Sequence, residues 1–364
     1  MSDLQIYSEK FRRQLEEIQK YIFSLDMQKN VISELSILEK MGGSTPNLEA
    51  TLKYSKVLKD VIKTPIQYNA VIISIYGSLE QFINELFEGY CNLLYDAIDN
   101  YDNIPVKMRE KHIKRLGEFL SNPQRYKNYE LTEKEAIENA LLAFEKPRIG
   151  LQNNQSLLLA HAGNLKMDQI SELANGLGIG GLEKKIVFNY IFRDYYVHNN
   201  QYSDKSYESI AARESKNLFI LLDKLVDARN DVAHGWVENR IKLSDLSEEY
   251  IEYLKIFAEA ISEILMNDIM CKKLEMGKLH SIGKPQKVYD HHIVCINNSN
   301  ALLKVNDTIL AVKENSKKVL KIQSIEKNKK KIEEIIEYGV DVGIEFIKRQ
   351  DLYVDERYEI FCER

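Results

Sequence analysis

Apolar residues recur every three or four positions along most of the chain, and every second position near its end, so helices should give way to strands. Residues 4–41 carry Leu15, Ile18, Ile22, Leu25, Ile32, Leu35 and Leu38 among charged neighbours. This predicts one helix, or two in tandem, packed on the next domain; a coiled-coil or partner-binding arm is the alternative. The run Met41-Gly42-Gly43-Ser44-Thr45-Pro46 should end it. From Ile66 to Ile98 a longer stripe runs through Ile73, Tyr76, Leu79, Phe82, Ile83, Leu86 and Tyr90, with Glu80 close beside it. Helical spacing continues at 106–121, 132–145, 206–237 and 243–275.

Two stretches break the helical texture. Gly176-Leu177-Gly178-Ile179-Gly180-Gly181 has too few basic or hydroxyl residues for a phosphate-binding loop, and no strand precedes it. It reads as a helix–helix connection. After Gly283-Lys284-Pro285 come short β-branched runs at 292–296, 308–312, 319–322 and 342–346, punctuated by Asn, Asp and Gly. These predict a small antiparallel β-barrel, with the boundary near 277–286. The expected architecture is mainly α: an N-terminal helical arm (1–60), a helical bundle (61–276) and the barrel (284–364).

Composition narrows the class. With 44% hydrophobic residues, 6 Pro and 16 Gly, the chain can bury large helical cores. A formal charge of −5 gives no global attraction for nucleic acid, so any such partner must meet local patches. Cys91, Cys271, Cys295 and Cys362 are far apart, which argues against a zinc knuckle or a disulfide scaffold. The polar, acidic start lacks signal-peptide character, and no apolar run reaches the roughly 18 residues of a membrane span. The expectation is a soluble cytoplasmic protein.

The densest polar chemistry lies in Leu225-Val226-Asp227-Ala228-Arg229-Asn230-Asp231-Val232-Ala233-His234-Gly235-Trp236. At about 100° per residue, Leu218, Leu222, Leu225, Val226, Val232, Ala233 and Trp236 share an apolar arc, and Arg229 falls within it. A guanidinium there needs a carboxylate, a phosphate or a partner surface. Asp227, Asn230, Asp231 and His234 form a separate polar face. Asn230 and His234 (i,i+4) can share one ligand, and Asp231 can orient the imidazole from i,i+3. Arg229 and His234, five residues apart, diverge by about 140° on an unbroken helix. A site using both therefore needs a bend or a second copy of the helix, as in a two-fold dimer. Glu80 has two readings, a partner for Arg229 or a surface carboxylate.

The segment Arg229-Asn230-Asp231-Val232-Ala233-His234-Gly235 resembles the Arg-x4–6-His motif of the HEPN superfamily of helical-bundle ribonucleases. Tyr76-Gly77-Ser78-Leu79-Glu80-Gln81-Phe82 and Gly163-Asn164-Leu165 resemble its subgroup from toxin and antiviral-defence loci. The likeness spans roughly 65–275. It implies cleavage without a metal or other cofactor, with the ribose 2′-hydroxyl as nucleophile and a 2′,3′-cyclic phosphate as product. His234 would move protons, Arg229 hold the phosphate, and Asn230 and Asp231 support them. Where some relatives carry a modifiable tyrosine two residues after the histidine, this chain has Trp236, whose ring has no hydroxyl to modify and which is expected to pack in a core or dimer seam. A second match, Arg193-Asp194-Tyr195-Tyr196-Val197-His198, lacks the Asn and Gly neighbours; its tyrosines read as packing residues and His198 as a surface histidine.

Residues 285–363 resemble the second domain of translation elongation factors through Lys304–Leu310, Ile322–Glu326 and Gly339–Ile344. The basic residues Lys327, Lys329, Lys330 and Lys331 read as a solvated turn or, by that resemblance, an RNA-backbone contact, which Lys348 and Arg349 could extend. Tyr289-Asp290-His291-His292 is a poor metal site, since adjacent strand histidines face opposite sides. The reading is a homodimeric endoribonuclease acting on RNA such as tRNA or rRNA in growth arrest or antiviral defence, with an antitoxin or defence-complex partner. Its rivals are a non-catalytic RNA- or ribosome-binding adaptor and an inactive subunit of a larger defence complex.

Overall fold

The computed structural model describes residues 4–40, 46–62, 65–126, 130–161, 163–198, 203–235, 240–300, 302–314, 316–349 and 352–363. Helix α1 (Gln5–Lys40) is one continuous helix, and α2 (Pro46–Ile62) folds back along its second half. The predicted breakers at 41–45 lie outside the described residues. Helix α3 (Pro65–Tyr95) is apolar around most of its circumference and therefore lies in the core, with Ile72, Ile75, Leu79, Ile83, Leu86 and Tyr90 fully covered. Ile73, expected in that stripe, is exposed; its angular position places it with Gly77 and Glu80, beyond the buried arc.

The first half of α1 lies antiparallel to α3. Phe11 stacks on Phe82 at 4.9 Å, Gln14 bonds Gln81 at 3.2 Å, and Lys10 pairs with Glu85 at 2.6 Å. A second layer holds α4 (Val106–Ser121), α5 (Glu133–Glu145), α6 (Pro147–Asn153) and α7 (Gln155–Leu159). Thr132 and Glu135 form a reciprocal capping box that starts α5 where the sequence places it. Buried Asn154 donates to the Ala136 carbonyl at 2.9 Å and to His112 Nε2 at 3.0 Å, tying α4 to α5. The glycine-rich stretch joins α8 (Met167–Gly176) to α9 (Leu182–Val187), with Gly178 and Gly181 at positive φ.

Among the described residues α10 (Tyr190–His198), α11 (Asp204–Arg213), α12 (Ile220–His234) and the short α13 (Leu243–Asp245) follow, with a 3-10 turn Ser215–Phe219 leading into α12. A π-turn leads from α13 into α14 (Ile251–Glu275), which shares the core with α1, α3 and α10.

The period-two segment forms β1 (Leu279–Gly283), β2 (Lys287–Tyr289), β3 (Ile293–Ser299), β4 (Leu303–Lys304), β5 (Thr308–Lys313), β6 (Ser316–Lys327), β7 (Lys330–Ile332), β8 (Glu334–Ile335), β9 (Val340–Phe346) and β10 (Glu359–Glu363). Its main sheet is antiparallel in the order β1-β10-β5-β6-β9-β3-β2. The long β6 pairs with β5 through its first half and with β9 and β7 through its second, with a register shift between Ile322 and Ser324. That bend curls the sheet into a half-barrel around Val294, Ile309, Ile325, Ile344 and Phe346. Its end strands β1 and β2 do not pair with each other, so closure is incomplete. His291 and His292 lie in a tight turn, with Asp290 and His291 at positive φ, and not on a strand as expected. Leu279 and Leu310 join the helical core, and Lys273 of α14 pairs with Glu363, so the half-barrel docks directly on the bundle.

Leu86 sits in the middle of α3 with no exposed surface. Leu86→Ala should lower the unfolding free energy by about 2–5 kcal/mol, read from urea denaturation monitored by circular dichroism. A loss below about 1 kcal/mol would contradict the core assigned to α3.

Candidate functional site

Helix α12 packs on α3, with Leu222, Leu225 and Ala228 in the shared core and Val226 also buried. It runs antiparallel to α3. Arg229 lies over the Tyr76 ring, 4.8 Å from its centroid, while beyond the helix end Arg240 lies over Tyr68 at 5.5 Å. The Ile241 N–H also donates to the Tyr68 hydroxyl at 3.3 Å.

Arg229 is half-buried, and its needs are met differently from the expectation. Its Nη1 donates to Asn230 Oδ1 at 3.1 Å, and the guanidinium lies over the Tyr76 ring. Such a cation–π contact contributes about 0.5–1 kcal/mol at a partly exposed position. Among the described residues no carboxylate reaches ion-pair distance, so of the two readings of Glu80 the pairing with Arg229 is not formed. Glu80 is half-buried one turn along α3 from Tyr76. Arg229 has five N–H donors and uses one here, which leaves it able to bind an anion.

His234 is the last residue of α12 and is exposed. Gly235 follows in the left-handed conformation at φ 75° and closes the helix, its N–H donating to the Val232 carbonyl at 3.3 Å. Asp231 is exposed and makes no bond to His234; both lie on the solvent side, where water competes for their polar groups. Asn230 is committed to Arg229 and not to His234. Ala233, expected in the apolar arc, is exposed, because α3 covers the helix through Leu222, Leu225 and Ala228 instead. Trp236 lies outside the described residues. The helix is unbroken from Ile220 to His234, so Arg229 and His234 do diverge by about 140° within one copy.

The loop between α7 and α8 adds groups that the sequence reading missed. His161 Nε2–H donates to Asn84 Oδ1 at 2.8 Å, and its Nδ1 accepts the Gly163 N–H at 3.2 Å, which fixes the neutral tautomer. Tyr76 Oη accepts the Leu165 N–H at 3.3 Å, and Lys166 pairs with Asp227 of α12 at 2.6 Å. Tyr76, Glu80 and Asn84 therefore make an i,i+4,i+8 row on α3 with Arg229 at one end and His161 at the other. Burial holds the imidazole of His161 below its ordinary range; Glu80 opposes this, and Lys111 and Arg115 reinforce it. A lone histidine outside any periodic stripe offers no signal, although its neighbours Gly163 and Asn164 do stand out in the sequence.

The other motifs behave more simply. Arg193 is engaged by Asp204 at 2.8 Å and Glu208 at 3.8 Å; Tyr195 and Tyr196 are buried, and His198 is exposed beside Asp194. Lys327 pairs with Glu337 at 2.7 Å, and Lys329 occupies the hairpin tip at positive φ. Lys330 lies opposite Lys327, whereas Lys331 lies opposite Glu326 on the other face; Lys329, Lys330 and Lys331 are exposed. Among the described residues no three His, Cys, Asp or Glu side chains gather as metal ligands, and no helix is long and apolar enough to cross a membrane.

The family model described as RiboL-PSP-HEPN matches residues 29–267, well over half of the chain. The match begins in the second half of α1, ends within α14 and includes all of α12; the half-barrel lies outside it. No curated protein and no solved structure is significantly similar to the chain.

The tautomer of His161 has a pH consequence. Its pKa in the folded chain is lowered, so its contribution to stability is full above the unfolded value of about 6.5 and is lost as pH falls below it. Protonation of Nδ1 removes the acceptor for Gly163. Amide exchange at Gly163, corrected for intrinsic rates, should accelerate between pH 7.5 and pH 5, and His161→Gln should flatten that change. Constant protection across this range would contradict the assignment.

Proposed function

Because the chain belongs to the RiboL-PSP-HEPN family, we propose that it is an endoribonuclease, cutting RNA without a metal ion. The ribose 2′-oxygen attacks the adjacent phosphorus as its proton leaves to a base. The P–O5′ bond breaks, the 5′-oxygen takes up a proton, and a 2′,3′-cyclic phosphate remains. His234 carries the proton transfer, exposed to substrate at the end of α12. Arg229 holds the phosphate and offsets the charge that grows on its oxygens. Asn230 positions Arg229 through the 3.1 Å bond, and Asp231 adds a polar support beside the imidazole.

The observation that carries this reading is a guanidinium shelved on Tyr76 with no carboxylate partner among the described residues, on the same unbroken helix as an exposed histidine. The divergence of the two side chains favours a two-fold dimer, where a phosphate meets Arg229 of one copy and His234 of the other. Lys327, Lys329, Lys330 and Lys331, on a half-barrel resembling translation-factor domains, would contact the RNA backbone. The substrate class is then tRNA or rRNA, and the setting growth arrest or antiviral defence, with an antitoxin or defence-complex partner.

One feature favours a second reading. His234 has no orienting partner among the described residues, as suits a non-catalytic RNA- or ribosome-binding adaptor. Incubation of the full chain with total RNA and EDTA separates the two. The nuclease reading expects cleavage with cyclic-phosphate ends, reduced at least about 100-fold in Arg229→Ala and His234→Ala. Bound but intact RNA would favour the adaptor.

A further inference from the structure

Resting on that two-copy reading of the α12 site, we infer that the α1–α2 hairpin is the arm by which two copies of this chain clasp one another. Tyr21 of α1 still lies beside Ala70 and Val71 of α3. Because the two helices are antiparallel, α1 outruns the first residue of α3 a few positions later. The remaining stretch, from about Met27 to Lys40, extends roughly 20 Å with α2 as its companion.

Among the described residues this hairpin is covered on one side only. Phe23, Met27, Val31, Tyr54, Val57 and Leu58 are between 45% and 71% exposed. Met27 and Val31 of α1 and Tyr54 and Leu58 of α2 also line a shared groove of about 300 Å³. Phe23, Met27 and Val31 are spaced i,i+4,i+8, and Tyr54, Val57 and Leu58 are i,i+3,i+4, so each helix contributes a stripe and not scattered residues. Together the six expose on the order of 600 Å² per copy, the upper range of the largest patch on an ordinary monomer. Two copies pairing through it would bury about 1,200 Å², where stable specific interfaces begin.

Three observations select a second copy as the occupant. The exposed patch, if paired with its own copy, reaches the area at which a two-fold, self-complementary contact becomes stable. Lys20 and Glu34 stand within the α1 stripe and Lys53 and Asp60 border Val57 on α2, so each copy offers charges of both signs at the seam. The third is position. Helix α12 runs toward the α3 end from which the hairpin springs, and His234 lies about 7.5 Å nearer that end than Arg229. A clasp there draws two α12 ends together, which is what an Arg229 and a His234 on divergent faces require.

The test compares the full chain with Val31→Glu/Tyr54→Glu by light scattering across concentration, with cleavage of total RNA measured on the same samples. Far-UV circular dichroism reports the fold, and Tyr54→Arg alone repeats the comparison if the double variant misfolds. The arm predicts a wild-type dimer, a variant whose dissociation constant rises at least about 100-fold, and cleavage that falls in step. A wild type still monomeric at about 100 μM, or variants that dimerise as tightly as wild type, would overturn it. Loss of the dimer with no cleavage by either protein would keep the arm and overturn the ribonuclease reading. Cleavage by a dimer indifferent to these substitutions would do the reverse.

Discussion

The pitch of α12, pinned against α3, governs what this molecule can do with its most reactive side chains. A helix advances about 100° per residue, and nothing between Ile220 and His234 interrupts it. Leu222, Leu225 and Ala228 share the core with α3, and close packing there resists rotation of the helix. Arg229 is consequently held at the seam of the two helices, over Tyr76, while His234 faces water. Turning Arg229 toward the face of His234 would give up its place over Tyr76.

The surroundings stiffen the same region. The α7–α8 loop is bound to α3 through Tyr76 and through Asn84, and to α12 through the Lys166–Asp227 pair. Arg229 thus meets its phosphate, in the proposed reaction, from a framework already set, which is where electrostatic stabilisation is most effective. Glu80 lies between Tyr76 and Asn84 on α3, and His161 of the loop is bonded to Asn84 at the far end of that row. The half-barrel, locked to α14 by Leu279, Leu310 and the Lys273–Glu363 pair, gives the bundle a second surface at fixed orientation.

Much of this was legible in periodicity. The bounds of α4 and α5, the bundle-to-strand change after Glu275, and the awkward placing of Arg229 all follow from spacing and turn residues. What failed was of one kind. Helical angle says which residues share a face, but not which face a neighbour covers; hence Ile73 and Ala233 share an apolar face by spacing and yet are exposed. Pairings across the chain are equally silent in sequence, so Tyr76 could not be named as the support of Arg229, nor Asn84 as the partner of His161. The β-branched residues that follow His291 and His292 suggest a strand there, whereas the positive φ of Asp290 and His291 makes it a turn. The open edge of the half-barrel depends on strand lengths and the bend in β6, neither of which hydrophobic alternation encodes.

The central claim is that one copy of α12 supplies half of a catalytic site. Mixing Arg229→Ala protein with His234→Ala protein tests it directly, after co-refolding so that subunits exchange. Each mixed dimer would join an intact arginine from one copy to an intact histidine from the other. The account predicts that the mixture cuts RNA although neither variant does so alone. If the wild type cuts and the mixed dimers remain silent, both residues act within a single copy and the account is wrong.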